Sequence, residues 1–168
     1  MEAAVAVIRI KFPETRYLII RRADDPRDPW SGHFSFPGGR RDPQDLDLLA
    51  ACLRETFEEC GIVLPPDSLV RPLALTEAGN ALNRPIPVTP FLFELTEAPA
   101  VLLDATECAD HHWVSESHLR DPALQTWITP LADPDRRFPA VRLGDGHLWG
   151  FTYHVLAELL DLPGRAHG

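Results

Sequence analysis

Residues 36–62, FPGGRRDPQDLDLLAACLRETFEECGI, constrain the fold of this chain more than any other stretch. Pro37-Gly38-Gly39 predicts a tight turn at the start, and Gly61 is suited to cap a helix at the end. Asp42, followed by Pro43 and then Asp45, offers a helix start. Leu46, Leu49, Ala50, Leu53 and Phe57 recur at helical spacing and predict one apolar stripe. With about 100° of turn per residue, Glu55, Glu58 and Glu59 fall on the side opposite that stripe. Carboxylates at i, i+3 and i+4 repel one another by roughly a few tenths of a kcal/mol per pair in an isolated helix. Alone, such a cluster reads as a solvated helix face; a divalent cation held between the three would reverse the sign.

Around this stretch the chain alternates short strand and helix signals. Residues 4–10 (AVAVIRI) and 17–22 (YLIIRR) predict strands joined by a turn near Pro13 and Glu14. Residues 23–32, rich in Asp, Pro and Gly, predict a loop, and residues 33–36 a short strand leading into the glycines. Residues 63–68 predict a second loop. Residues 69–77 and 88–95 are strand candidates, with Pro72 and Pro90 demoting parts of them to edge positions or strand ends. A polar, proline-containing connection at 78–87 lies between them. Residues 112–114 predict a strand, 115–121 a helical turn, 130–138 a charged loop, 140–143 a strand and 144–146 a tight turn. A last helix is expected over 152–162, with Tyr153, Val155, Leu156, Leu159 and Leu160 inward and Pro163-Gly164 as its stop. This interleaving, without a strict βαβ rhythm, predicts an α/β sandwich on a mixed sheet.

With 168 residues, 45% of them hydrophobic and 24% charged, the chain is expected to form one domain over residues 1–168. No apolar run reaches the length of a membrane span, and the first residues lack a basic-then-apolar leader pattern, so a cytoplasmic location is expected. Cys52, Cys60 and Cys108 show no metal-type spacing. The first two lie about two helical turns apart, too far to bridge, and all three are expected to be reduced. A formal net charge of −9 argues against non-specific binding to nucleic acid or to a membrane surface. It is also the wrong sign for a polyanionic substrate, a conflict that bound divalent metal removes. The sequence carries no signal for oligomeric state.

The glycines, the spacer and Arg54-Glu55-x-x-Glu58-Glu59-x-Gly61-Ile62 together resemble the Nudix box, the signature of hydrolases that cleave nucleoside diphosphates linked to another moiety. In its family form the box places a glutamate where Asp45 stands and an aliphatic residue where Thr56 stands, and its spacer to the arginine is one residue shorter. Arg22, Arg27, Gly32 and the FPGG at 36–39 are similar to a motif found upstream of the box in coenzyme A diphosphatases. So are VTPF at 88–91 and LWGFT at 148–152. The resemblance implies a Nudix-type α/β/α sandwich in which the box forms a loop-helix-loop.

Hydrolysis of a diphosphate needs water to attack phosphorus while charge on the oxygens is neutralised. Mg²⁺ prefers oxygen ligands and keeps several waters, which suits Glu55, Glu58 and Glu59; Mn²⁺ fits similarly. The resemblance adds the Gly39 carbonyl to these metal ligands, and Gly39 also reads as a turn glycine needing positive φ. Arg54, four residues before Glu58, is spaced to pair with it and orient it. Glu58 or Glu59 is the first candidate for general base. Glu107, at a position that often carries a glutamate in the family, is a further candidate as base or metal ligand, or a plain loop carboxylate. Arg22 and Arg27 are candidates for substrate phosphates, because guanidinium forks match phosphate oxygens, and Gly38 joins them in the substrate-binding set. His111, His112 and His118 read as structural or exposed. Trp30, Phe34, Trp113 and Trp149 can stack a base, with core packing expected for most.

Two function classes follow. One is a metal-dependent hydrolase of a nucleotide-containing small molecule, with coenzyme A cleaved to 3′,5′-ADP and 4′-phosphopantetheine as the leading reaction and ADP-ribose or a dinucleotide polyphosphate next. The other is a non-catalytic nucleotide-binding module. Such modules tend to lose box glutamates, whereas this chain keeps all three.

Overall fold

The structure, a computed structural model, describes residues 2–28, 30–79, 85–131 and 133–162. Strands β1 (Ala3–Ile10) and β2 (Arg16–Arg22) pair antiparallel only near their joined end, through Arg9↔Tyr17 and Ile10↔Arg16. Beyond that point they part, and the glycine segment fills the opening. Strand β3 (Phe34–Ser35) pairs with β2 and strand β4 (Gly38–Arg40) with β1. Pro37 carries the chain between the two, its carbonyl accepting the Ala6 N–H at 2.8 Å.

Pro37-Gly38-Gly39 is therefore extended chain leading into a strand, not the expected tight turn. Gly38 has φ 141°, and a Cβ there would collide with the Ala4 carbonyl oxygen and lie 2.6 Å from Val5 Cα. In sequence, a glycine demanded by a neighbouring strand and a glycine demanded by a turn look alike.

Strand β7 (Ile86–Leu95) runs parallel to β1 along its length, from Ala3↔Val88 to Ile10↔Leu95. The other pairings described in this sheet are antiparallel, so the sheet is mixed, as expected. Strands β5 (Leu69–Pro72) and β6 (Thr76–Ala78) share the far side of β7, while β8 (Cys108–Ser115) lies against β2. Pro90 thus sits inside a central strand rather than at an edge or strand end. Its carbonyl accepts the Leu73 N–H at 2.8 Å, so its missing N–H faces the same side, at the break between β5 and β6.

Both faces of β1 and β2 are buried, which is why their sequences are nearly continuous apolar runs. Ala4, Ala6, Ile8, Leu18 and Ile20 share a core with Cys52 and Cys60 of helix α1 (Leu48–Cys60). Val7, Tyr17 and Ile19 share the opposite core with helix α3 (Gly150–Leu160) and a second antiparallel sheet. That sheet orders β11 (Gly146–Trp149), β10 (Phe138–Leu143) and β9 (Gln125–Ile128). The result is the expected α/β/α sandwich. Helix α2 (Glu116–Arg120) matches the predicted helical turn, with the Ser115 hydroxyl accepting the His118 N–H. β9 and β11 were not expected, because each is four residues of mixed polarity that becomes a strand only through its partner. Helix α3 ends at Asp161 in a left-handed conformation, φ 53°; Pro163 and Gly164 lie outside the described residues.

Helix α1 differs from expectation in start and orientation. Its N-cap is Asp47, whose carboxylate accepts the Ala50 N–H at 2.8 Å. Asp42 and Asp45 instead close a preceding turn, in which the Asp42 N–H donates to Asp45 at 2.7 Å and the Gln44 N–H to Asp42 at 2.9 Å. Gly61, φ 66°, is the C-cap as expected. The helix buries Ala51, Cys52, Thr56, Glu59 and Cys60; of the expected stripe, Leu49 and Leu53 pack partly buried against the same core, while Leu46 is 86% exposed ahead of the helix and Phe57 is 55% exposed. Small residues turned inward let the helix approach the glycine strand closely, which a Leu/Phe stripe would not. The three cysteines are free and buried, and burial pushes the Cys52 and Cys108 thiols up to about 12, so they serve as core residues.

Gly38→Ala is expected to destabilise the protein by about 2–4 kcal/mol in urea denaturation, whereas Gly144→Ala, at φ 57° with open space around it, costs about 1 kcal/mol. Equal losses at the two positions would contradict the account of the glycine strand.

Candidate active site

The inward side of α1 lies over β4, and this contact assembles the acidic residues. Glu59 is 2% exposed, and its Oε2 accepts the Gly38 N–H at 2.8 Å. A Cβ on Gly39 would lie 2.5–2.8 Å from the Glu55 carboxyl atoms. Gly39 is not in the left-handed region, so the approach of Glu55 requires this glycine, and the turn-glycine alternative is set aside. The solvated acidic face read from the sequence is corrected in the same way: Glu59 is core-facing, Glu55 is mostly buried and Glu58 alone is half exposed.

Arg54 organises this face. It forks Asp45 through Nε and Nη2, both at 2.9 Å, and its Nη1 reaches Glu55 at 2.9 Å and Glu58 at 2.8 Å. The spacing to Glu58 is the i,i+4 pair expected. Asp45, hydrogen-bonded by Arg54 and by the Asp42 N–H, has its carboxyl held at about 2. Burial pushes Glu55 up, with Arg54 opposing. Burial also drives Glu59 up to about 8, against the Gly38 hydrogen bond, and the charges of Glu55 and Glu107 add to the rise.

The donor set is oxygen-only and short of positive charge, which fits a hard divalent cation. Glu55, Glu59 and the Gly39 carbonyl are the groups that would hold it, with Glu58 beside them. Among the described residues no three acidic or thiol side chains converge on one point, because Glu58 is turned to Arg54 and Glu59 to Gly38.

Glu55, Glu59 and Gly39 line a cleft of about 1550 Å³. Arg22, Arg27, Gly38 and Glu107 line it as well, so the structure brings the predicted site residues to one cavity, apart from Arg54 and Glu58 on its flank. Arg22 is paired with Asp28 at 2.8 Å, and Arg27 forks Asp25 at 2.9–3.0 Å, so each arrives with a loop aspartate attached. Gly38 donates its N–H to Glu59, which gives it a role in positioning. Glu107 is exposed, and its backbone joins the Ala23 N–H to the Asp104 carbonyl. His111 and His112 pair with successive residues of β2, and His118 bonds the Arg142 carbonyl, which leaves all three outside the cleft.

The sequence reading missed Arg40, Phe138, Arg136 and His33, which also line the cleft. Arg40 follows the paired glycines and makes no side-chain ion pair among the described residues; its place beside them was the available cue. The others come together only through the unexpected second sheet. Burial pushes His33 down, with Asp28 opposing.

An acidic helix packed on a glycine strand, in an α/β/α sandwich with a cleft beside it, is the class this architecture defines. Residues 1–137 match the NUDIX domain, and the chain belongs to that family. An uncharacterized Nudix hydrolase, NudL, of Yersinia pestis is 44% identical over 71 residues, covering 42% of this chain and 34% of that protein. The chain spans about a third of the length of the curated relatives it matches, 35% and 34% in two of them. A Caenorhabditis elegans Ap4A hydrolase binary complex superposes with a TM-score of 0.53 at 25% identity, over 68% of this chain and 80% of that one. The NUDIX domain of Shewanella oneidensis NrtR, complexed with ADP ribose, gives a TM-score of 0.54 at 19% identity, over 68% and 72% of the two chains. Among the described residues no helix is long and apolar enough to cross a membrane.

The raised Glu59 carboxyl sets a pH dependence for the metal-free protein. Its folded value near 8 exceeds the ordinary 4.5, so its contribution to stability is full below pH 4.5 and is lost as pH rises through 8. In EDTA, stability should carry a component falling by about 1.4 kcal/mol per pH unit across that window, and Glu59→Gln, which keeps an oxygen for the Gly38 N–H, should remove it. Denaturation curves with the same slope in both proteins would contradict this.

Proposed function

We propose that the chain is a Mg²⁺- or Mn²⁺-dependent hydrolase of the diphosphate bond in a nucleoside diphosphate derivative. The observation that carries this reading is the packing of Glu55 and Glu59 against Gly38 and Gly39 in the lining of a cleft large enough for a nucleotide conjugate. A bound divalent ion supplies charge neutralisation at the phosphate oxygens and acidifies water. In the reaction, water adds to one phosphorus and the P–O bond to the bridging oxygen breaks.

The chain's own groups have distinct parts in this reading. Gly38 fixes Glu59 by its N–H, and Gly39 leaves room for Glu55, its carbonyl being a further group that would hold the metal by the family resemblance. Arg54, itself clamped by Asp45, keeps Glu55 and Glu58 in place. Arg40 and the Asp-paired Arg22 and Arg27 line the path of the phosphates. Glu107 is the favoured acceptor for the proton of the attacking water. It lines the cleft and is exposed, whereas Glu58 is committed to Arg54.

Coenzyme A, giving 3′,5′-ADP and 4′-phosphopantetheine, is the substrate we favour, on the resemblance of Arg22, Arg27 and residues 36–39, 88–91 and 148–152 to coenzyme A diphosphatases. Each of those three stretches, with Arg22 and Arg27, contributes residues to the lining of the cleft. ADP-ribose and Ap4A are the alternatives, suggested by the ligand and the activity named for the two structural neighbours. A nucleotide-binding role without catalysis is disfavoured by the retention of Glu55, Glu58 and Glu59.

A panel of coenzyme A, ADP-ribose and Ap4A, assayed for product with and without Mg²⁺ or Mn²⁺, tests the reading. Metal-dependent cleavage is expected, with kcat/KM for coenzyme A at least about tenfold above that for ADP-ribose, a difference worth about 1.4 kcal/mol. ADP-ribose ahead of coenzyme A would remove the substrate, and no cleavage in either metal would remove the hydrolase.

A further inference from the structure

We propose that the wall of the cleft made by Trp149, Phe138 and His33 is a subsite for the nucleobase of the substrate, which stacks on the Trp149 indole. This rests on the reading of the chain as a nucleotide hydrolase. Phe138 and Trp149 lie just beyond residues 1–137, the part matched to the family, and His33 lies within it, so the second sheet and the domain's own loop build the wall together.

The strand alternation of β11 sets the geometry. Leu148 is fully buried in the core, and Trp149, one residue on, points the other way and lines the cleft. Its backbone is fixed by pairing with Ala140 of β10, so the ring stands on a rigid element. His33 meets the indole with centroids 5.3 Å apart and planes at 61°, and Phe138 at 5.6 Å and 59°. Neither neighbour lies parallel to the indole, so neither takes up the stacking geometry a flat base would use. The Arg136 guanidinium sits 5.0 Å from the Phe138 centroid and extends the wall with a cation. Its nearest acid, Asp133, is 3.7 Å away, beyond hydrogen-bonding distance, in contrast to the forked Arg27. Glu55 and Glu59 line the same cleft, so a base held at this wall and a diphosphate held beside the carboxylates share one cavity.

Stacking on an aromatic side chain tolerates any base and changes affinity by on the order of tenfold or more. The test is titration of the Mg²⁺-loaded protein with AMP and with ribose 5-phosphate, which lacks the base, followed by the Trp149 indole N–H resonance and by calorimetry. AMP is expected to shift that resonance and to bind at least about tenfold more tightly than ribose 5-phosphate. Trp149→Leu should bring AMP down to the ribose 5-phosphate level, and Trp149→Tyr should restore most of the difference. Trp149 precedes α3 as its N-cap without a side-chain capping bond, so its replacement removes no cap. An unshifted Trp149 resonance in the wild type, or equal affinity for the two ligands, overturns the subsite whether or not the variants fold. Hydrolysis of the panel with an unmoved Trp149 would remove the subsite and leave the hydrolase; an AMP-shifted Trp149 without any hydrolysis would do the reverse.

Discussion

The contact between β4 and helix α1 is the constraint on which the rest of the site depends. Two glycines let a carboxylate-bearing helix come within touching distance of a strand: Gly38 through its backbone N–H to Glu59, Gly39 through the space it leaves for Glu55. Burying a carboxylate costs free energy unless it is paired, and one hydrogen bond from Gly38 does not offset the burial of Glu59, whose carboxyl rises to about 8. The fold therefore holds an acidic group in an environment that favours its neutral form. Such stored unfavourable charge is what a divalent cation relieves, and it is common at sites that do chemistry.

The sheet is arranged to make that contact. β1 and β2 splay apart, and residues 34–40 enter the gap, with β3 on one strand and β4 on the other. This threads the glycines under α1 while the same chain carries Phe34 and Phe36 into the opposite core. The Arg54 network then fixes the outer carboxylates. Asp45, from the turn before the helix, forks Arg54, and Arg54 in turn holds Glu55 and Glu58. The longer spacer and the Asp in place of Glu are thus compatible with a closed network, because the Asp42–Asp45 turn folds the extra residue back toward the helix.

Much of the fold was legible in sequence where the signal was local and strong. The apolar runs of β1, β2 and β7, the Gly61 cap and the inward residues of α3 all follow from period and punctuation. The failures have one cause: the deciding partner lay far away in sequence. Leu46 and Phe57 have helical spacing with the stripe but stay exposed, because the helix turns its small residues and Glu59 toward the glycine strand. Pro90 is tolerated in a central strand because the partner strand breaks opposite it. At the site, the box residues were legible as a motif and the cleft joins most of them. Trp149 was legible as one of four rings able to stack a base, but its neighbours Phe138 and His33, and the aspartate partners of Arg22 and Arg27, could not be read without knowing how the loops and the second sheet fold back.

Gly39 offers the most direct test of the central claim, that the glycine strand exists to bring Glu55 and Glu59 around a divalent cation. Mn²⁺ titration followed by electron paramagnetic resonance, on the wild type and on Gly39→Ala, separates the site from the fold. The account predicts stoichiometric Mn²⁺ binding by the wild type and at least about tenfold weaker binding by Gly39→Ala, whose methyl group displaces the Glu55 carboxylate. Equal Mn²⁺ affinity in the two proteins, or no Mn²⁺ bound by either, would contradict it.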